Sequence, residues 1–85
     1  GEPTRVRVLL VDDHAAFRQR LAFMLGREQG IDVVAQAGSV AEAQPLLDLA
    51  DVAVLDLHLP DGEGIDLIRR MRSVNPTCRV LLLTA

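Results

Sequence analysis

Four apolar runs mark the chain, and stretches with helical periodicity separate them. Arg5 to Val11 (RVRVLLV) begins by alternating and ends wholly apolar, which predicts a strand entering the middle of a sheet. Val52 to Leu57 (VAVLDL) predicts a third strand, buried on both faces, and the apolar run Arg79 to Leu83 (RVLLL) predicts a fourth. Ile31 to Ala37 (IDVVAQA) is more polar and predicts an edge strand. From His14 or Ala15 onward, Phe17, Leu21, Met24 and Leu25 form an apolar stripe, with Arg18, Gln19, Arg20 and Arg27 on the wet side and Gly30 as the stop. Ser39-Val-Ala-Glu42 is a capping box that opens a second helix running to about Leu49. Pro45 inside it predicts a kink or a short first segment. A third helix is expected over Ile65 to Val74, with Ile65, Leu67, Ile68 and Met71 inward, Arg69, Arg70 and Arg72 outward, and Asn75-Pro76 ending it. The order β-α-β-α-β-α-β predicts an α/β fold, a doubly wound parallel sheet with helices on both faces.

Composition narrows this picture. The 85 residues suit one modest domain, and 49% hydrophobic with 25% charged is a globular balance. Only Phe17 and Phe23 are aromatic, so the core must be aliphatic. A net charge of −3 gives no basic footprint for nucleic acid, and Arg69, Arg70 and Arg72 read as a solvated helix face. Every basic residue is an arginine; there is no lysine. The single Cys78 excludes an intrachain disulfide, fits a reducing compartment and reads as a small core residue. No run is long enough to span a bilayer and no signal-peptide pattern is present, so a cytoplasmic protein is expected.

The chemistry lies at the strand ends. Asp12 and Asp13 follow the first strand, Asp56 lies near the end of the third, and Thr84 follows the fourth. Open α/β sheets place their ligands at those carboxyl ends. If the first and third strands are neighbours, the carboxylates converge and repel, and a divalent cation resolves the repulsion. Oxygen ligands with open positions suit Mg²⁺. A metal, a nucleophilic carboxylate and a hydroxyl aimed at a phosphoryl group are the parts of phosphoryl transfer to aspartate. The blander alternative has Asp12 and Asp13 merely capping the first helix and Asp56 as a solvated loop acid. His14 and His58 make a poor zinc pair without a nearby cysteine. His14 reads instead as a helix-start residue and His58 as a ring over the site. Asp61 and Glu63 read as turn residues.

Val11-Asp12-Asp13-His14, Leu55-Asp56-Leu57-His58-Leu59-Pro60-Asp61-Gly62 and Leu82-Leu83-Thr84-Ala85 together resemble the receiver domain of two-component response regulators. Asp-Asp-His and Phe17-Arg18 are similar to the NarL-type transcription factors. The resemblance implies a flavodoxin-like sheet with strand order 2-1-3-4. It implies Asp56 as phosphoacceptor from a sensor histidine kinase. Asp13 and Asp56 would bind Mg²⁺ directly, Asp12 through water and His58 through its backbone carbonyl. Thr84 would hydrogen-bond the phosphoryl group as the switch residue, with the small Ala85 leaving room beside it. Set against a receiver, the 85 residues lack the fourth helix, the fifth strand, the fifth helix and the family's lysine, and hold no DNA-binding domain. Impaired switching is therefore expected, as is self-association through an open fourth strand and an uncovered sheet face. Two alternatives stand beside this reading. One is a receiver fragment acting only as an oligomerisation module. The other is a Mg²⁺-dependent phosphohydrolase of the haloacid-dehalogenase kind, disfavoured because His14 stands where that family's Asp-x-Asp would continue.

Overall fold

The computed structural model describes residues 4–83. Its parallel sheet joins β1 (Val6–Val11), β2 (Ile31–Ala37), β3 (Val52–Asp56) and β4 (Arg79–Leu83) in the order β2-β1-β3-β4. That is the expected order, with β2 at one edge and β4 at the other edge of the described sheet.

Strand alternation in β1 divides the core between two faces. Leu9 and Val11 join Ala53, Leu55, Leu67, Met71 and Cys78 under α2 (Val40–Ala43) and α3 (Gly64–Val74). Val8, Leu10 and Val54 point the other way, against Leu21, Ala22 and Leu25 of α1 (Ala15–Gly26). The first face holds the larger cluster, and burial there raises the pKa of the Cys78 thiol.

The helices depart from expectation in instructive places. In α1, Phe17 and Met24 are exposed, and the stripe facing the sheet is Arg18, Leu21, Ala22 and Leu25. These four follow i, i+3, i+4, i+7, so the inward stripe is rotated by about one position and carries an arginine at its first turn. Phe23 is exposed too, with the Arg27 guanidinium 5.8 Å from its ring centre. The helix stops at Gly26 with Arg27 as its cap. Gly30 serves a later turn at φ +84°, where its carbonyl accepts the Val6 N–H at 2.7 Å.

α2 is a single turn followed by a 3-10 turn, Gln44–Leu46, so the second helix ends short of Leu49. Pro45 lies in that tighter turn, since it has no N–H to continue an α-helix. Ser39 Oγ accepts the Glu42 N–H at 3.1 Å, and Glu42 Oε1 accepts from Gly38 N–H at 2.8 Å, one residue earlier than a standard capping box. In α3, Leu67 and Met71 are buried while Ile65 is exposed at the first turn, contrary to expectation. Arg72 is less idle than a solvated face implies: its Nη1 donates to the carbonyls of Cys78 at 2.6 Å and Pro76 at 3.2 Å, closing the turn into β4. Asn75 caps α3, and its Nδ2 donates to the carbonyls of Leu47 at 3.0 Å and Ala50 at 2.7 Å. Leu47 and Ala50 are buried, so losing that amide strands two acceptors. We expect Asn75→Ala to lower unfolding stability by about 2 kcal/mol, read from urea denaturation.

At the opposite end of the sheet, Asp51 ties strands together. Its N–H donates to the Arg7 carbonyl at 2.8 Å and its carbonyl accepts from Arg79 N–H at 2.9 Å. Its carboxylate accepts from Arg7 through the backbone N–H at 2.9 Å, Nη2 at 3.1 Å and Nε at 3.3 Å. The Arg7 side chain, then its backbone N–H, holds the Asp51 carboxyl below the usual carboxylate range. A depressed carboxylate stabilises the fold above its unfolded pKa, and that contribution is lost as the pH falls through the folded value. The pair is exposed, so salt weakens it.

Candidate functional site: an acidic corner at the strand ends

Register builds the site. Val11 pairs with Leu55, so Asp12, just past the end of β1, and Asp56, the last residue of β3, come out side by side. Asp12, Asp13, Asp56 and His14 each place one ligand atom within 4.8 Å of the others. The three acids therefore converge as expected.

Asp12 is almost fully buried, at 6% exposure. Its N–H donates to the Ala37 carbonyl at 3.0 Å, and its Oδ1 accepts the His14 N–H at 2.8 Å. Asp13 does not cap α1; His14 occupies that position without a side-chain hydrogen bond to the helix. The local Asp12–His14 turn takes up the chain reversal and leaves the Asp13 carboxylate facing the cluster. The exposed His14 ring turns back on the acids, Nδ1 lying 3.1 Å from Asp12 Oδ1 and 3.2 Å from Asp13 Oδ1. Its hydrogen bond with Asp12, then the charge of Asp13, raises its pKa.

Asp56 ends β3 half-buried, and its Oδ1 accepts the His58 N–H at 3.1 Å. The His58 ring is not over the acids: its Nδ1 lies 3.3 Å from Glu63 Oε2, and it is not in the cluster. A zinc pair of His14 and His58 is therefore not assembled. His58–Leu59 and Gly62–Glu63 form a minute antiparallel hairpin, with Leu59 anchored in the core. Asp61 does more than turn the chain. Its two carboxylate oxygens accept the N–H groups of Val40 at 2.7 Å and Ala41 at 3.0 Å, clamping the hairpin to the start of α2. Those two donors hold its pKa below the usual carboxylate range.

Gly64 is the support that sequence reading overlooked. Its N–H donates to the Leu57 carbonyl at 2.7 Å, and a Cβ there would lie 2.5 Å from the Asp56 carbonyl oxygen and 3.1 Å from Leu57 Cα. Backbone on that side cannot yield as a flexible side chain could. Gly64→Ala is expected to cost about 2 kcal/mol and to move the end of β3. Urea denaturation measures the first effect and the Asp56 amide chemical shift the second.

Thr84 and Ala85 lie outside the described residues. Among the described residues no arginine side chain pairs with the carboxylates of Asp12, Asp13 or Asp56, and the His14 ring alone lies within ion-pair distance of them. Carboxylate oxygens crowded without a fixed cation are a donor set suited to a hard divalent ion such as Mg²⁺. Among the described residues no helix is long and apolar enough to cross a membrane.

A four-stranded parallel sheet wound on both sides, with acids at the ends of adjacent strands, defines a receiver-like α/β domain. The family description "Response regulator receiver domain" matches residues 8–85, and the chain belongs to that family. It is 51% identical over 82 residues to the DNA-binding transcriptional activator DevR/DosR of Mycobacterium tuberculosis, covering 94% of this chain and 38% of that protein. Among solved structures, the signal receiver domain of the response regulator NarL from Mycobacterium tuberculosis superposes with a TM-score of 0.85 at 36% identity, over 94% of this chain and 66% of that one. A response regulator from Burkholderia pseudomallei, solved with a phosphorylated aspartic acid, a calcium ion and citrate, gives a TM-score of 0.80 at 30% identity, over 93% of this chain and 46% of that one. The chain thus spans well under half of the DevR/DosR relative.

Proposed function

We propose that the chain is a phosphoacceptor module that takes a phosphoryl group from a sensor histidine kinase onto Asp56. The convergence of Asp12, Asp13 and Asp56 at two adjacent strand ends carries this reading. A similar chain with a phosphorylated aspartic acid and a calcium ion supports it. One Asp56 carboxylate oxygen forms the bond to phosphorus as the bond from phosphorus to the donor imidazole nitrogen breaks, and the electron pair leaves with that nitrogen. The His58 N–H on Oδ1 fixes the plane of the attacking carboxylate. Asp13 and Asp56 would hold Mg²⁺ directly, Asp12 through water and His58 through its carbonyl. When bound, Mg²⁺ supplies positive charge between the acids and the phosphoryl oxygens. Thr84 would donate its hydroxyl to the transferred group. The module accepts phosphate and does not turn over a substrate. It acts in the cytoplasm and controls transcription through a DNA-binding domain outside these 85 residues, as the name of the DevR/DosR relative suggests.

Treating the chain with acetyl phosphate, with Mg²⁺ or with EDTA, tests this by intact mass. One acid-stable, base-labile phosphoryl group appearing only with the metal is the expected result. No labelling under any condition overturns it. Exposure of Leu81 and Leu82 on β4 favours a second reading, an oligomerisation role. An open apolar strand edge pairs readily with another chain. The 85-residue polypeptide is expected to sediment as an oligomer, and a monodisperse monomer that unfolds cooperatively would count against this.

A further inference from the structure

Arg18 has no part in the reading above. It sits half-buried at the first turn of α1, on the same stripe as Leu21, Ala22 and Leu25. A cation placed on an apolar stripe is costly unless its donors are met. Among the described residues Arg18 forms no ion pair. Its donors go elsewhere. Nη1 donates to the backbone carbonyl of Asp12 at 2.6 Å, and Nε to Gln36 Oε1 on β2 at 3.2 Å. Gly38 leaves the room this requires: a Cβ there would stand 3.1 Å from Nη1.

The consequence falls on Asp13. The Asp12 N–H is held by Ala37 and the Asp12 carbonyl by Arg18. That carbonyl belongs to the peptide linking Asp12 to Asp13, so both ends of Asp12 are pinned before the chain reaches Asp13. We propose that Arg18 is a positioning residue: by gripping the Asp12 carbonyl it sets the direction in which the Asp13 carboxylate enters the acidic corner. The inference rests on the metal-dependent reading of that corner. A charge-assisted hydrogen bond to a backbone carbonyl is about twice as strong as a neutral one, so the guanidinium is a stiff support.

The test is a Mg²⁺ titration of the 85-residue chain followed by the Asp13 amide chemical shift, alongside thermal unfolding without metal. Arg18→Met keeps the aliphatic stem and removes the donors. It is expected to weaken Mg²⁺ binding about tenfold, in the range of lost supports around metal ligands, and to shift the metal-free Asp13 amide. Arg18→Lys should recover part of the affinity. Gln36→Leu, which leaves Arg18 in place but unaligned, should give a smaller loss in the same direction and reports on the contact if Arg18→Met does not fold. Unchanged affinity in Arg18→Met and Gln36→Leu overturns the proposal, as does a loss that only follows falling thermal stability and that lysine does not relieve. An Asp13→Asn control separates the two ideas. If that variant binds Mg²⁺ as wild type does, the metal site itself fails; if it loses binding while the Arg18 and Gln36 variants keep it, only the positioning role fails.

Discussion

Asp56→Asn is expected to accept no phosphoryl group from acetyl phosphate under conditions in which the wild-type chain is labelled. The substitution keeps the size of the side chain and an oxygen to accept the His58 N–H, now at 3.1 Å from Oδ1, so the hairpin after β3 has no reason to move. What it removes is the carboxylate proposed as the nucleophile. Neither neighbouring acid replaces it. Asp12 is buried, with Oδ1 occupied by the His14 N–H and approached by the His14 ring. Asp13 leaves β1 on a different strand end and would hold the cation. Wild-type labelling itself should be slow. A phosphoryl group in transfer spreads negative charge over its oxygens, and a fixed cation beside them is worth a large part of the rate. The 85 residues contain no lysine to provide one. Intact mass before and after base treatment reads the outcome. A label that survives Asp56→Asn would place the acceptor elsewhere, and rapid stoichiometric labelling of the wild type would show that the missing ammonium is not limiting.

Asp13→Asn should lower Mg²⁺ affinity about a hundredfold, to the point where binding is hard to detect. Attraction between unit charges about 4 Å apart is about 4 kcal/mol even at an effective dielectric of 20, and a divalent ion feels more. Salt and water at this exposed acid reduce the effect, which leaves a loss near two decades. The same change relieves repulsion among the three acids when no metal is present. Two signs therefore oppose each other in one experiment. Metal-free Asp13→Asn should melt at or above the wild-type temperature, while added Mg²⁺ should raise the melting temperature of the wild type alone, because only a ligand that binds the folded state stabilises it. Equal Mg²⁺ responses in the two chains would remove Asp13 from the site.

Local pattern determined a great deal about this protein. Apolar runs of strand length, helical periodicity between them and the more polar β2 are properties of neighbouring residues, and the four strands came where expected, β2 and β4 to the residue, while the second helix shrank to one turn and a 3-10 turn at Pro45. A parallel sheet followed from the alternation of those elements, and with it the arrival of Asp12, Asp13 and Asp56 at carboxyl ends of strands, whereas the strand order rested on the resemblance to receivers. Tertiary structure decided the rest. Pairing of Val11 with Leu55 made the acids neighbours, and a shift of a residue would have parted them. Which flank of α1 meets the sheet is a packing choice, and it turned Phe17 outward and Arg18 inward against the reading of hydropathy alone. The His58 ring went to Glu63, Asp61 reached across to α2, and Gly64 closed on the backbone of Asp56. Those last contacts join residues whose spacing carries no period. The chain announces where its apolar surface lies, whereas the partner of a single polar side chain depends on which backbone groups the finished fold leaves within its reach.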